Sequence, residues 1–221
     1  MTPRPHHPPH SIPDLVDGWE LAERISPRPV VRVAAVDAHG GVLNSYPTVA
    51  PVEGTRPRVP WAVYLTDGTG RYRLLCADLD AQTSPLAAAQ DASRLSGLLT
   101  ETGIGHVVCA SGPSGGRHVW IGLADSADPE VVRTLAYLLQ VWLPTLDIAP
   151  LVNPATGCVR PPGAPHRHGG VSQRVVGDLS VLTHPTTTTA DVHRLGTRLA
   201  ELVNPPPPTP TPKSPEGAPP R

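Results

Sequence analysis

Apolar and polar positions along the chain predict a mixed α+β domain. Apolar runs of about four to eight residues are typical of strands, and apolar residues spaced about three or four apart are typical of helices. The predicted strands lie at residues 30–36, 61–65, 74–80, 104–110, 118–123 and 146–148, with one or two more at 175–182. The predicted helices lie at residues 14–25, 84–102, 128–142 and 189–203, and the proline-containing residues 44–60 are predicted as a loop.

The order of these elements indicates an architecture. From residue 74 onward, strand, helix, strand, strand, helix and strand follow one another, which is typical of a split βαβ unit. The chain has 221 residues and 30 prolines, a share far above the usual value of about 5%. These prolines concentrate at residues 1–13 and 204–221, which are typical of disordered tails. A single folded domain is therefore expected at residues 14–203.

Composition excludes several classes of protein. The formal net charge is −1, so the chain has no overall basic character, and any nucleic-acid surface must be a local patch. No segment resembles a signal peptide or an apolar membrane span of about 20 residues, and a cytoplasmic location is expected. Cys76, Cys109 and Cys158 form no CxxC pair, so they are interpreted as buried thiols rather than zinc ligands.

Two aspartates at the end of one apolar run are the first candidates for chemistry. If residues 74–80 form a strand, Asp78 and Asp80 lie on the same face. Two neighbouring carboxylates repel each other, and a divalent cation such as Mg²⁺ relieves that repulsion. The pair alone fits a metal site and equally fits a strand that ends in an acidic turn.

A glycine-rich loop supplies the second group of candidates. Residues 111–117 read SGPSGGR and lead into the strand that begins at His118. Glycines let a backbone approach a ligand closely, and consecutive N–H groups can bind an anion. A phosphate held there would contact Ser111, Ser114, Arg117 or His118. A Walker-type loop is excluded because GK[ST] is missing and a strand follows instead of a helix.

Together these motifs resemble those of the archaeo-eukaryotic primase superfamily. DLD at 78–80 is similar to its first motif, DxD, and SGPSGGRHVW at 111–120 is similar to its second, sxH after a glycine-rich turn. LD at 146–147 is similar to its third motif, a hydrophobic residue followed by Asp. RPPGAPH at 160–166 resembles the Arg-Pro-Pro-Gly-x-x-His segment of the primase-polymerase branch found on plasmids and other mobile elements. The resemblance covers about residues 61–170.

The resemblance implies a fold and an activity. The fold is an RRM-like catalytic module joined to a smaller α/β unit, and the activity is template-directed nucleotidyl transfer in DNA replication. Asp78, Asp80 and Asp147 would coordinate two Mg²⁺ or Mn²⁺ ions. Phosphate contacts are implied for His118, Arg160 and His166, with Arg117 as a further candidate. The implied partners are NTPs or dNTPs, a single-stranded DNA template and a replicative helicase acting in trans.

Several alternatives stay open at the level of sequence. Residue 116 is Gly where the second motif has Ser, so that phosphate contact is lost unless Ser114 or Ser111 replaces it. Asp147 could instead cap a turn, and Arg160 could pair with a carboxylate. The competing functions are a catalytically silent module that binds nucleic acid or nucleotide in a replication initiator, and a metal-dependent nuclease that uses the same carboxylates.

Overall fold

The structure is a computed structural model that describes residues 17–82 and 84–205. Nine strands and six helices are found in these residues. The strands are β1 (Val30–Val33), β2 (Thr48–Pro51), β3 (Trp61–Tyr64), β4 (Tyr72–Leu79), β5 (Val107–Ala110), β6 (Arg117–Ala127), β7 (Leu146–Asp147), β8 (Cys158–Val159) and β9 (Gln173–Val176). The helices are α1 (Gly18–Ile25), α2 (Pro85–Glu101), α3 (Pro129–Trp142), α4 (Ala149–Val152), α5 (Ser180–Thr183) and α6 (Thr189–Val203).

Five strands form an antiparallel sheet in the order β7-β4-β6-β5-β9. Along the chain, β4, α2, β5, β6, α3 and β7 follow one another, while β4 and β6 lie side by side inside the sheet. This is a split βαβ arrangement, and it confirms the predicted α+β class with an RRM-like module. Strand β4 ends within the first sequence motif, and strand β6 begins within the second.

A second antiparallel sheet has the order β2-β1-β3-β8. Residues of both sheets belong to one hydrophobic core, and Trp19 of α1 packs edge-on against Trp61 of β3 with ring centroids 5.2 Å apart. Gly18 lies against the backbone of Gly163, where an added Cβ would stand 2.2 Å from the Gly163 carbonyl carbon. Helix α1 therefore supports the turn that follows Arg160.

All four predicted helices are found, and for three of them the preceding residues explain why they begin where they do. The side chains of Ser84, Asp128 and Thr188 accept hydrogen bonds from the first-turn N–H groups of α2, α3 and α6. Such caps satisfy backbone donors that have no partner within the helix. Proline at the first position of α2 and α3 fits the same rule, because its missing N–H is not needed there.

Other predicted elements need correction. The predicted loop at 44–60 contains strand β2, which tolerates prolines because it is at the edge of its sheet. Residues 175–182 contain the end of one strand, β9, and then helix α5 instead of a second strand. The first predicted helix begins at Gly18, after the Asp17 cap, and β6 extends to Ala127.

The predicted tails lie mostly outside the described residues. Residues 1–13 are not described, and of residues 204–221 only Asn204 and Pro205 are. Within the described part of the chain, no helix is long and apolar enough to cross a membrane. Cys76 and Cys109 are buried free thiols as predicted, while Cys158 is half-buried.

Candidate active site

Strand β4 brings the sequence motifs together because it pairs with β6 on one side and β7 on the other. Asp78 is directly opposite His118 of β6 and directly opposite Asp147 of β7. Directly opposed residues of an antiparallel pair share a face, with Cβ atoms about 4.5–5.5 Å apart. Asp80 follows two positions later, and its backbone N–H donates to the carbonyl of Thr145 at 2.8 Å.

These side chains open into a cleft of about 450 Å³ lined by residues of both sheets. Ligand sites in proteins typically have volumes of about 300–1,000 Å³, so the cleft can hold a nucleotide. Eight of the nine residues predicted for the site line this cleft. They are Asp78, Asp80, Ser111, Ser114, His118, Asp147, Arg160 and His166.

Asp78 and His118 form a close pair at the base of the cleft. The Nε2 atom of His118 lies 3.3 Å from Oδ1 of Asp78, and the imidazole is only 2% exposed. Burial raises the pKa of Asp78, but His118 and then Arg160 lower it by more, so the net pKa is below the usual value. The Nδ1 atom of His118 is buried and has no hydrogen-bond partner among the described residues.

The pKa of Asp80 is shifted in the opposite direction, above its usual value. Burial raises the pKa of Asp80, and the negative charges of Asp78 and Asp147 raise it further, against a smaller effect of His118. The three carboxylates therefore repel one another, which is the charge distribution that a divalent cation relieves.

The donor chemistry of these groups suits Mg²⁺ or Mn²⁺. Mg²⁺ is usually held by one or two carboxylates together with waters and substrate phosphates. In residues 17–82 and 84–205, no three His, Cys, Asp or Glu side chains are already grouped closely enough to ligate one ion by themselves. The Oδ1 atom of Asp147 also accepts from the Ala149 N–H at 2.9 Å, so the turn-capping role considered for Asp147 is present as well.

The cleft lining also has a basic wall, made of two arginines and two histidines. Arg160, His166, Arg167 and His168 line it, and the guanidinium of Arg160 donates to the Ser111 carbonyl at 2.8 Å. Burial, followed by the nearby cations Arg160, His168 and Arg167, lowers the pKa of His166 to about 4. The Nδ1 atom of His166 accepts from the His168 N–H at 3.1 Å. The imidazole is therefore neutral at pH 7, and its Nε2–H is a donor.

The glycine-rich loop packs tightly against its neighbours. An added Cβ on Gly112 would stand 2.4 Å from Cδ2 of His166, and Gly115 has φ +91°, a conformation that favours glycine. An added Cβ on Gly116 would stand 2.6 Å from the hydroxyl oxygen of Ser111. The Ser111 hydroxyl thus occupies the space where a side chain at residue 116 would begin.

Arg117 is the predicted site residue that the structure places elsewhere. Its backbone is opposite Leu79 and Ala110, and its side chain donates to the carbonyls of Gly115 and Gly116 at 2.8 and 3.0 Å. Neighbouring residues on a strand point to opposite faces, so Arg117 cannot share the cleft face with His118. Its contacts fix the loop conformation instead.

Two polar residues, Asn44 and Tyr46, are among the cleft residues that were not predicted from the sequence. Both come from the segment before β2, and Tyr46 lies beside Arg160. Burial raises the pKa of Tyr46, against an opposing effect of Arg160, so the phenol stays neutral at pH 7. No motif marks these residues, because their position depends on how the two sheets pack.

Comparison with known proteins agrees with the fold. No protein-family model and no curated protein matches the sequence. The polymerase domain of Mycobacterium tuberculosis Ligase D, solved in complex with DNA, superposes with a TM-score of 0.50 at 16% identity, over 85% of this chain and 88% of that one. The AEP domain of the cyanophage S-2L primase-polymerase superposes with a TM-score of 0.50 at 12% identity, over 80% of this chain and 94% of that one.

At these identities the likeness concerns the fold. The chain has the α+β fold of a polymerase-type catalytic domain. The chain shares this α+β fold with the polymerase domain and the primase-polymerase domain named above.

Proposed function

We propose that this chain is a DNA primase or primase-polymerase domain that joins nucleotides on a single-stranded DNA template by a two-metal mechanism. The observation that carries the proposal is the pairing of Asp78 with both His118 and Asp147, from strands that are far apart in sequence. Acidic side chains and arginines line the same cleft of nucleotide size, which are the charges that a metal-bound triphosphate requires.

The carboxylates of Asp78, Asp80 and Asp147 would hold two Mg²⁺ or Mn²⁺ ions. When bound, such ions neutralise phosphate charge and activate a hydroxyl for attack on phosphorus. His118 keeps Asp78 ionised and oriented, since its Nε2 is 3.3 Å from the carboxylate. The repulsion that raises the pKa of Asp80 would be relieved when cations bind.

The basic wall would bind the triphosphate. Arg160 is partly buried, and burial lowers its pKa, so an anionic partner is favoured at this position. His166 would supply a neutral N–H donor, and the hydroxyls of Ser111 and Ser114 would supply further donors. The Arg160 bond to the Ser111 carbonyl joins the guanidinium to the glycine-rich loop, so both would move with the phosphates as one unit.

The test is nucleotide incorporation by the purified chain. With a single-stranded DNA template, labelled NTPs or dNTPs and Mn²⁺, the wild type is expected to make or extend primers, and Asp78→Ala/Asp80→Ala is expected to lose this activity. The control is Glu20→Ala/Glu23→Ala, which removes two exposed carboxylates from α1. Equal activity in the aspartate variant, or DNA cleavage instead of extension, would refute the proposal.

A second candidate is a catalytically silent module that binds nucleic acid or nucleotide in a replication initiator. The absence of a side chain at Gly116 and the 2% exposure of His118 favour it, because both reduce the phosphate contacts available without rearrangement. Binding of single-stranded DNA with no incorporation in any metal would select it. In either case we assign residues 14–203 as the functional domain, with a helicase acting in trans.

A further inference from the structure

A buried carboxylate outside the cleft connects the segments that carry two of the site's aspartates. Asp91 is on α2, is 6% exposed and does not line the cleft. Its Oδ2 atom accepts two hydrogen bonds from one residue, the Thr145 N–H at 3.1 Å and the Thr145 hydroxyl at 2.8 Å. Arg94 lies 3.5 Å from the other carboxylate oxygen.

Thr145 is held through its remaining backbone atom as well. Its carbonyl accepts the N–H of Asp80 at 2.8 Å, just beyond the last residue of β4. Two positions after Thr145, Asp147 pairs with Asp78. Asp91, Thr145 and Asp80 thus form a continuous chain of hydrogen bonds from α2 to the end of β4, and the same chain fixes the start of β7.

This arrangement has a physical consequence for the carboxylates. Strand β7 has only two residues in the sheet, so its own ladder bonds hold it weakly. A buried carboxylate without hydrogen-bond partners is costly, so Asp91 strongly favours the conformation in which Thr145 faces it. That conformation sets the backbone positions from which Asp80 and Asp147 project, although these two carboxylates repel each other.

We propose that Asp91 and Thr145 are positioning residues that hold Asp80 and Asp147 at the spacing needed to bind a divalent cation. This inference rests on the proposed function, since it assumes that these aspartates are metal ligands. Asp91 touches neither the metal nor the nucleotide, and it acts through the Thr145 backbone. Loss of an orienting partner of a metal site typically lowers metal affinity about 10–100-fold.

The chain contains a matched control for the same pair of contacts. Asp125 accepts from the Thr189 N–H at 2.8 Å and from the Thr189 hydroxyl at 2.9 Å, through a single carboxylate oxygen. This pair joins the end of β6 to the start of α6, and neither residue lines the cleft. Thr189→Val therefore removes the same hydroxyl contact without a connection to the carboxylates.

The experiment measures Mn²⁺ affinity without nucleotide, by titration calorimetry or by the paramagnetic resonance of free Mn²⁺. Thr145→Val is expected to raise the Kd for Mn²⁺ about tenfold, while Thr145→Ser and Thr189→Val leave it near the wild-type value. Hydrogen exchange adds a readout that needs no metal. The Asp80 amide should exchange faster in Thr145→Val than in the wild type, and its exchange rate should be unchanged in Thr189→Val.

The outcomes separate this inference from the proposed function. If Thr145→Val lowers Tm but leaves both the Mn²⁺ affinity and the Asp80 exchange unchanged, the pair is merely structural and the inference is overturned. If the wild type binds no Mn²⁺, or if Asp78→Asn binds it equally well, the metal site itself fails and this inference fails with it. Asp91→Ala gives a stronger version of the same test where the variant folds.

Discussion

The Ser111 hydroxyl occupies the space where a side chain at residue 116 would begin. Replacing Gly116 by serine tests whether the two side chains exclude each other. The backbone at this position is not in the left-handed region, so the cost of a side chain depends only on space. A Cβ there would be 2.6 Å from the Ser111 hydroxyl and 3.2 Å from the Leu79 carbonyl oxygen. Contacts below 3.0 Å force a shift, and such overpacking costs about 1–3 kcal/mol. Gly116→Ser should therefore lower Tm by roughly 2–12 °C.

The second substitution, Ser111→Ala, removes that clash. The remaining Cβ of residue 111 would be 3.7 Å from the new Cβ, which is an ordinary contact. Ser111→Ala/Gly116→Ser should therefore regain most of the lost Tm in a thermal melt. The control Ser111→Ala/Gly116→Ala relieves the steric strain to the same extent, so the two double variants should have the same Tm.

Nucleotide binding then distinguishes the steric effect of these substitutions from the loss of a hydroxyl that binds phosphate. If the Ser111 hydroxyl contacts a phosphate, Ser111→Ala alone loses a hydrogen bond to a charged group, worth about 1.5–3 kcal/mol or roughly tenfold or more in Kd. Ser111→Ala/Gly116→Ser should restore the affinity, and the alanine control should not. The reasoning is wrong if Gly116→Ser melts like the wild type, or if Ser111→Ala binds nucleotide as tightly as the wild type does.

Three further predictions follow from charges in the cleft. Asp80→Asn removes a carboxylate whose pKa is raised by burial and by its acidic neighbours. Without metal, the variant should melt about 1–2 °C higher than the wild type, and Mn²⁺ should no longer stabilise it. A lower Tm without metal would contradict this. The pKa of His166 is lowered to about 4 in the folded chain. As the pH falls, the unfolded chain therefore binds a proton at this residue before the folded chain does, and stability is lost from about pH 6.5 toward pH 4. His166→Gln should accordingly lose less Tm than the wild type between pH 7 and pH 5, and parallel Tm curves would argue against the shift. Arg160→Gln should weaken nucleotide binding in a fluorescence titration more than Arg117→Gln does, because Arg160 lines the cleft and Arg117 does not; equal losses would count against the proposed basic wall.

The sequence was most informative where local rules apply. Period-two alternation placed Asp78 and Asp80 on one face, and Ser84 with Pro85 located the start of α2. The same alternation, applied to residues 117 and 118, would have excluded Arg117 from the cleft, because two neighbours on a strand cannot face the same side.

Other features depend on tertiary contacts and had no local signal. Strand β7 has only two residues, too few for periodicity to indicate its partner, so the expectation that Asp147 lies with Asp78 rested on the family resemblance. Tyr46 reaches the cleft only because the two sheets pack together. Asp91 follows an alanine-rich stretch of an amphipathic helix, and nothing in that pattern indicates a buried carboxylate that binds Thr145.

The contact between Gly18 and Gly163 links the first described helix to the candidate active site. Both residues touch through backbone atoms, so a larger residue at position 18 must push either α1 or the Pro-Pro-Gly turn out of place. That turn directly follows Arg160, whose guanidinium reaches the glycine-rich loop. In a random-mutagenesis screen for loss of nucleotide use, substitutions at residue 18 should therefore be recovered alongside those of the cleft, although no atom of this glycine lines it.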